Sequence, residues 1–430
     1  MKADALVIGA GIAGLVAGLR LAKSGRSVII IERSDRAGGQ CGTFEHEGFE
    51  VVFGCNDFGT GFERCLASLG VDVRFHHPRA RFHFGARTIE LPPNARTLAQ
   101  LALRTPAIVK LVRAAKTIDT LGPLVDRIGD PLLADLACLP AFAMVRSPDD
   151  VPLAALKADF SKELGYGYDK SCAPIGGPGA RVDAMVARFR ALGGTLLLDQ
   201  RAERSERCPD GRHIVHTSNG VLRARALLSS EGRWSEYPAE AKRGLDVGLV
   251  MLVTDAGSKS RFPAGFHTVD WFAPGVASQL RKLDAGEPVA EPSFHAFRSD
   301  LRPRDGRSTV SAFVPLARGE GAPSPARRDA LTQHVKRTLG RLVPGFEDTV
   351  HATFFVSPDE YEARLGFRPR PSARVLPAGI EKPRSYDAVR DVHFLGTSVD
   401  PPGEHAGAAA LSGLRAAERI IEAHERTTAA

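Results

Sequence analysis

The chain begins with a short apolar run, Ala5 to Ile8, of the kind that lies in a parallel sheet covered on both faces. Gly9-Ala10-Gly11-Ile12-Ala13-Gly14 comes next, and beyond it the apolar period changes. From Leu15 to Ser24, Leu15, Leu19 and Ala22 fall on one side at helical spacing, which predicts strand, turn and helix in that order. Ser27 to Ile31 is a second apolar strand, closed by Glu32. Much later, Val182, Met185, Val186 and Phe189 mark an amphipathic helix, and Gly193-Gly194-Thr195 leads into a strand at Leu196 to Leu198. Asp391 to Thr397 reads as one more buried strand, followed by a long helix to Ala423 and a frayed tail from Arg426 to Ala430. Residues 76 to 160 read as mainly helical. Residues 240 to 360 carry apolar or alternating runs at Val247 to Val253, Phe266 to Phe272, Ser293 to Phe297 and Thr309 to Val314, which predict a mixed or antiparallel sheet.

The glycine turn has a chemical reading. Gly9 permits the tight turn, Gly11 lets backbone approach a pyrophosphate, and Gly14 lets helix and strand pack closely. The N–H groups at Ile12 and Ala13 then open a helix whose positive end faces the phosphates. Glu32 lies eighteen positions after Gly14 and suits the ribose hydroxyls of an adenosine, while an acid there disfavours a 2′-phosphate. The fingerprint by itself fits NAD or FAD equally.

The residues after Glu32 separate the two. Glu32-Arg33 runs through Ser34 to Ala37 into Gly38-Gly39-Gln40, then Thr43-Phe44 and Gly48 to Gly54. This stretch resembles the flavoprotein superfamily of amine oxidases and phytoene desaturases, in which a glycine pair after the acidic strand lies along the FAD diphosphate. That superfamily usually has arginine after the pair, whereas Gln40 stands here, so the phosphate-side charge falls to Arg33 or Arg36. The resemblance recurs at Pro174 to Ala180, where a GG turn feeds a helix and strand and implies adenine contact by backbone near Ala202. It recurs again at Gly396 and Pro401-Pro402-Gly403-Glu404-His405-Ala406-Gly407-Ala408, with Ser412-Gly413 on the helix beyond, which is similar to the terminal flavin motif. There a helix N-terminus offers donors to the flavin N1–C2=O edge, and small residues such as Gly407 and Ala408 let the ring system approach.

The resemblance implies an α/β fold: a Rossmann-like, GR2-type FAD-binding domain with an inserted α+β substrate domain. Placing the motifs along the chain divides it into 1–75, 165–240 and 365–430 for FAD, and 76–164 and 241–364, with a helical insert, for substrate. The expected cofactor is non-covalent FAD, although Cys41 sits beside the glycine pair. The expected activity is hydride transfer from a small or apolar organic substrate, in the manner of the phytoene desaturase branch. An amine oxidase of the same superfamily is the alternative, and a non-catalytic prenyl- or protein-binding relative is a third reading. The electron acceptor stays open among oxygen, quinone and nicotinamide, as does the oligomeric state.

Composition narrows little further. The 430 residues include 43% hydrophobic and 25% charged positions, as in ordinary globular chains of two or three units. The formal charge of +7 is spread along the sequence with acids between, and no RNA- or DNA-binding motif appears, so nucleic acid is not an expected partner. Six cysteines without CxxC spacing suggest reduced thiols in a cytoplasmic setting and no metal site. The run Leu6 to Val16 is no export signal, since it holds three glycines and lies just after Asp4. One segment bears on location: Ile108 to Thr120 sets Ile108, Leu111, Ala115 and Ile118 against Lys110, Arg113 and Lys116, with no acid between Glu90 and Asp119. A cover helix with a solvated basic face is the preferred reading, and peripheral membrane contact is the other. For catalysis, His405 and Glu404 are the candidates inside the terminal motif. An imidazole there can act as acid or base, and either residue can instead cap the following helix.

Overall fold

The computed structural model describes residues 1–263, 266–304, 306–366 and 374–429. The first strand, Lys2–Ile8, pairs in parallel with Val28–Ile31 on one side and Gly220–Ser229 on the other. Thr195–Leu197 extends the sheet beyond Val28–Ile31, also in parallel. Gly220–Ser229 turns back through His213–Thr217 to Ala202–Arg207 as an antiparallel meander, and its last residues take Val392–Phe394 alongside in parallel. Leu6, Val7, Ile29, Ile30 and Ile31 are all buried, as strands covered on both faces require. Three helices, Ile12–Lys23, Gly177–Ala191 and Ala406–Ala429, cover the face of Val7 and Ile30, while Leu6, Ile29 and Ile31 on the other face pack with Val215, Leu222, Leu227 and Phe394. The first and last touch at backbone: a Cβ on Gly413 would lie 2.2 Å from the Ala13 carbonyl oxygen. The C-terminal helix runs through the expected tail as far as Ala429, and Ala430 lies outside the described residues.

A second, seven-stranded sheet has the order Val350–Val356, Val247–Asp255, Arg307–Pro315, Phe294–Arg304, Phe266–Phe272, Arg79–Phe84 and Arg87–Leu91. All its neighbours are antiparallel except Phe266–Phe272 with Arg79–Phe84, so it is mixed. The four predicted strand runs are therefore adjacent members of one sheet.

Residues 76 to 160 are less helical than expected, because they open on the hairpin of Arg79–Phe84 and Arg87–Leu91. Ala80, Phe82 and Phe84 point to one face at period two. The alternating Arg79 and Arg81 mask that pattern in the sequence, and both turn to the buried Glu90 across the ladder, at 2.5 and 3.0 Å. Six short helices come after the hairpin, and the one expected at 108 to 120 runs instead from Thr105 to Ala114.

One face of the second sheet is sealed by the helix Pro325–Leu342, whose Leu331, Val335 and Leu339 pack on Val250, Leu252, Val269, Phe294 and Ala296. The alternate residues point the other way, toward the first sheet's unit. They form one wall of the site.

Candidate active site

The glycine turn forms a groove floor without side chains. Gly9 adopts φ +97°, and an added Cβ there would lie 1.9 Å from Ser230 Oγ; at Gly14 it would lie 2.0 Å from the Gly9 carbonyl oxygen. Gly11 differs, since a Cβ on it would point into open space with nothing within 4 Å. No side chain caps the helix that starts there. Gly38 N–H donates to the Ala10 carbonyl at 2.8 Å, and a Cβ on Gly39 would come within 3.2 Å of Gly11 Cα, so the two glycine turns lie backbone to backbone. A bare concave surface beside uncapped helical N–H groups fits a pyrophosphate. Glu32 closes the second strand and accepts from Ala10 N–H at 2.8 Å and Ser34 N–H at 3.1 Å. Those contacts fix the carboxylate at the turn and leave it further lone pairs for a ribose hydroxyl. Gln200 N–H donates to the Glu32 carbonyl at 2.8 Å, which brings the half-buried Ala202 to the same end of the groove.

Neither candidate for the charge missing at Gln40 is without protein contacts. Gln40 is exposed, but Arg33 donates to the Gly366 carbonyl at 3.0 Å, and Arg36 pairs with Asp35 at 2.8 Å while reaching the Thr43 carbonyl. Each guanidinium is anchored on protein oxygens and keeps further N–H donors.

The terminal motif is tied together by a residue outside every sequence motif. Lys382 Nζ donates to the carbonyls of Thr397 and Gly403 at 2.6 and 2.7 Å and pairs with Glu404 at 2.8 Å, thereby bridging the loop from end to end. Gly396, with φ +98°, sits at the start of this loop and donates to Ser412 Oγ at 2.8 Å. Burial pushes the Glu404 carboxyl up to about 7 against the opposing pull of Lys382.

His405 caps the last helix: its Nδ1 accepts from Ala408 N–H at 3.1 Å. Since Nδ1 accepts, the ring proton is on Nε2, which donates to Asp159 Oδ1 at 3.0 Å. Tyr166 and Tyr168 present their rings to it edge-on, with centroids at 4.5 Å, and the Tyr166 hydroxyl donates to the Pro402 carbonyl. Gly407 packs under this cluster, where a Cβ would meet His405 Nδ1 at 3.1 Å.

Glu404 and His405 border a cavity of about 450 Å³. Its far wall is the second sheet, where Ala80, Phe82, Thr268, Asp270, Phe272, His295, Phe313 and Pro315 face inward. A side wall comes from Leu139–Ala143 and Leu153–Asp159, with Phe142, Met144, Leu156 and Phe160, and the near wall from Phe53 to Asp57 with Tyr168. The lining is apolar apart from a few convergent polar groups, as in small-molecule sites. Asp270 and His295 are register partners on neighbouring strands, with Nδ1 of the histidine 2.9 Å from the carboxylate. Burial pulls the imidazole down, but the Asp270 charge and hydrogen bond, with Asp57, carry it above its ordinary value. Neither residue stands out in the sequence. An acid inside the apolar run Phe266 to Phe272 is the visible signal, but only the register supplies its partner.

Residues 7–67 match the NAD(P)-binding Rossmann-like domain family. All-trans-retinol 13,14-reductase of Danio rerio is 48% identical over 56 residues, which are 13% of this chain and 9% of the reductase. The chloroplastic prolycopene isomerase of Daucus carota is 35% identical over 103 residues, 22% of this chain and 16% of the isomerase. These matches thus span less than a fifth of either relative. Among solved structures, cyclohexylamine oxidase from Brevibacterium oxydans superposes with a TM-score of 0.68 at 14% identity, covering 99% of this chain and 100% of the oxidase. Putrescine oxidase bound to putrescine gives 0.65 at 18%, covering 98% and 99%. At that identity the structures establish the fold alone, the one that these two oxidases share. The sequence resemblance to the amine oxidase and phytoene desaturase superfamily stands.

Proposed function

We propose that the chain is an FAD-dependent oxidoreductase that dehydrogenates a largely apolar organic molecule in the 450 Å³ cavity. One observation carries this reading. The loop that borders the cavity, Gly403 to His405, opens the very helix that packs at backbone contact on the glycine-turn helix, so groove and cavity share one support. Bound FAD supplies the hydride acceptor, and the protein supplies position, dryness and charge. The backbone at Ile12 and Ala13 would hold the pyrophosphate and Glu32 the ribose. Phe53, Phe82, Phe142 and Phe272 keep water from the reacting bond. Cys41 is buried with its thiol against Cys55, which supports non-covalent retention of the cofactor.

The test is anaerobic mixing of the purified yellow protein with apolar alcohols, amines and polyenes. The flavin band at about 450 nm should bleach with at least one class; a band untouched by all three would overturn the reading. Peroxide formed from an amine in air would select the amine oxidase alternative.

A second reading concerns location. Among the described residues no helix is long and apolar enough to cross a membrane. The helices Ala95–Ala102 and Thr105–Ala114, however, leave Leu98, Leu103, Val109 and Val112 at 54, 82, 42 and 58% exposure, and no residue of the second helix is buried. Arg96, Lys110, Arg113 and Lys116 stand exposed around them. Leu111, Ala115 and Ile118 pack on the core, as the cover helix preferred from the sequence requires, and the exposed apolar and basic residues on the other side favour contact with an anionic lipid surface as well. Liposomes containing phosphatidylserine should carry the protein upward in a flotation gradient, and Val112→Glu should reduce that fraction severalfold. Protein wholly in the soluble fraction would remove the reading.

A further inference from the structure

The hairpin of Thr43–His46 and Phe49–Val52 brings two cysteines together at its open end. Thr43 pairs with Val52 across the ladder, and Phe53 N–H donates to the Gly42 carbonyl at 3.2 Å. One residue further out, a Cβ on Gly54 would lie 3.4 Å from the Gln40 carbonyl oxygen, which puts their chain neighbours Cys55 and Cys41 within reach of one another. Both side chains belong to one apolar cluster, and the Cys55 thiol hydrogen-bonds to the Cys41 sulfur. Cys41 is 7% exposed, whereas Cys55 is half-buried and borders the cavity.

A buried cation faces the pair. Arg181, on the helix Gly177–Ala191, is 0% exposed and donates from Nη2 to the Cys41 carbonyl. Its guanidinium lies 4.3 Å from the centre of the Phe58 ring and 5.3 Å from that of Phe62, while Nε and Nη1 have no partner among the described residues. The ionisable groups that act on it are the thiols of Cys41, Cys55 and Cys172, with no carboxylate among them. A charge enclosed in this way is costly without a counter-charge, and a thiolate at Cys41 would supply one. The hydrogen bond from Cys55, with the Arg181 charge, pulls the Cys41 thiol below its usual range against the opposing effect of burial.

We propose that Cys41 and Cys55 form a redox-active dithiol, activated by Arg181, that a hydroperoxide oxidises to a disulfide. The Cys41 thiolate attacks one oxygen of hydrogen peroxide. An S–O bond forms, the O–O bond breaks, and the departing hydroxide takes the Cys55 thiol proton to become water. The Cys55 thiolate then attacks the sulfur of the Cys41 sulfenic acid. The S–S bond forms, the S–O bond breaks, and the second hydroxide becomes water with a proton from solvent. Both electrons pass from the sulfurs to the peroxide. The disulfide fastens the turn that carries Gly38 and Gly39 to the near wall of the cavity. The dithiol takes no part in the dehydrogenation proposed above.

The protein as purified is treated with a small excess of hydrogen peroxide, then denatured, alkylated and digested with trypsin. Cleavage after Arg36 and Arg64 leaves Cys41 and Cys55 on one peptide, Ala37 to Arg64, with no other cysteine. That peptide should be lighter by two hydrogens and refuse alkyl groups until dithiothreitol is added, while Cys65, Cys138, Cys172 and Cys208 are alkylated as before. In Cys55→Ser the same peptide should carry a Cys41 sulfenic acid that dimedone traps. Arg181→Met should slow disulfide formation roughly tenfold or more, because the thiolate and not the thiol is the nucleophile. A peptide that still takes two alkyl groups, oxidation spread evenly over all the cysteines, or an unchanged rate in folded Arg181→Met would overturn the proposal. If Arg181→Met does not fold, the state of the peptide from the unaltered protein decides.

Discussion

Lys382→Met should destabilise the protein by about 3–5 kcal/mol at pH 8, the usual cost of removing one partner from a buried ion pair. Lys382 and Glu404 side chains are 9 and 7% exposed, so neither charge has water to fall back on. The substitution also takes the donor from the carbonyls of Thr397 and Gly403, leaving both ends of the terminal loop unpaired. The effect should depend on pH in a definite direction. The Glu404 carboxyl is raised to about 7 in the folded protein from an ordinary 4.5. A group shifted upward stabilises the fold below its unfolded value and loses that contribution as pH rises through the folded one, so Glu404 costs stability between about pH 4.5 and 7. Without Lys382 the carboxyl moves higher still and stays protonated longer. The variant's deficit should therefore be largest at pH 8 and smaller at pH 5. Urea midpoints at the two values measure this, and equal deficits would show that the pair is not electrostatically coupled.

Gly11→Val and Gly14→Ala, three residues apart in one turn, should fail in different ways. A Cβ at position 11 meets no protein atom within 4 Å, and the backbone there, φ −68° and ψ 178°, is open to any residue. Gly11→Val should thus fold with an apoprotein melting temperature close to that of the unaltered chain, while its side chain fills the space assigned to the pyrophosphate. FAD affinity should fall by more than tenfold. At position 14 the added Cβ would sit 2.0 Å from the Gly9 carbonyl oxygen and 3.2 Å from Val7 Cγ1, and backbone cannot move aside as a flexible side chain can. The helix must lift from the strand, at a cost of about 1–3 kcal/mol or more, typical of overpacking. Thermal melts of apoprotein with and without added FAD distinguish the two. A Gly11→Val protein that binds FAD normally would mean that the groove is not where the diphosphate lies.

The elements carrying the cofactor motifs were legible because each is local. Apolar strand, glycine turn and acid succeed one another within the first 32 residues, and backbone requirements at Gly9 and Gly14 are written in residue type. The strands from 247 to 314 were legible from alternation as well. The hairpin at Arg79–Leu91 was hidden by the arginines that alternate with its inward residues, and their pairing with the buried Glu90 becomes apparent only when the two strands are laid side by side. His405 and Glu404 were found through the terminal motif. Their environment could not be: Asp159 lies 246 positions from His405, and Lys382 sits in a loop without pattern. Asp270 and His295 needed the strand register, and Asp57 needed the fold of the whole cavity. The liability of Gln40 was visible in sequence, but its consequence was not, since Arg33 and Arg36 are drawn to carbonyls and a neighbouring acid.

The cofactor that the purified chain carries tests the flavoenzyme reading most directly. After denaturation and filtration, chromatography of the supernatant should give FAD at about one equivalent per chain, with no flavin left on the precipitate. A protein that is colourless as isolated and takes up no FAD when it is supplied would contradict it.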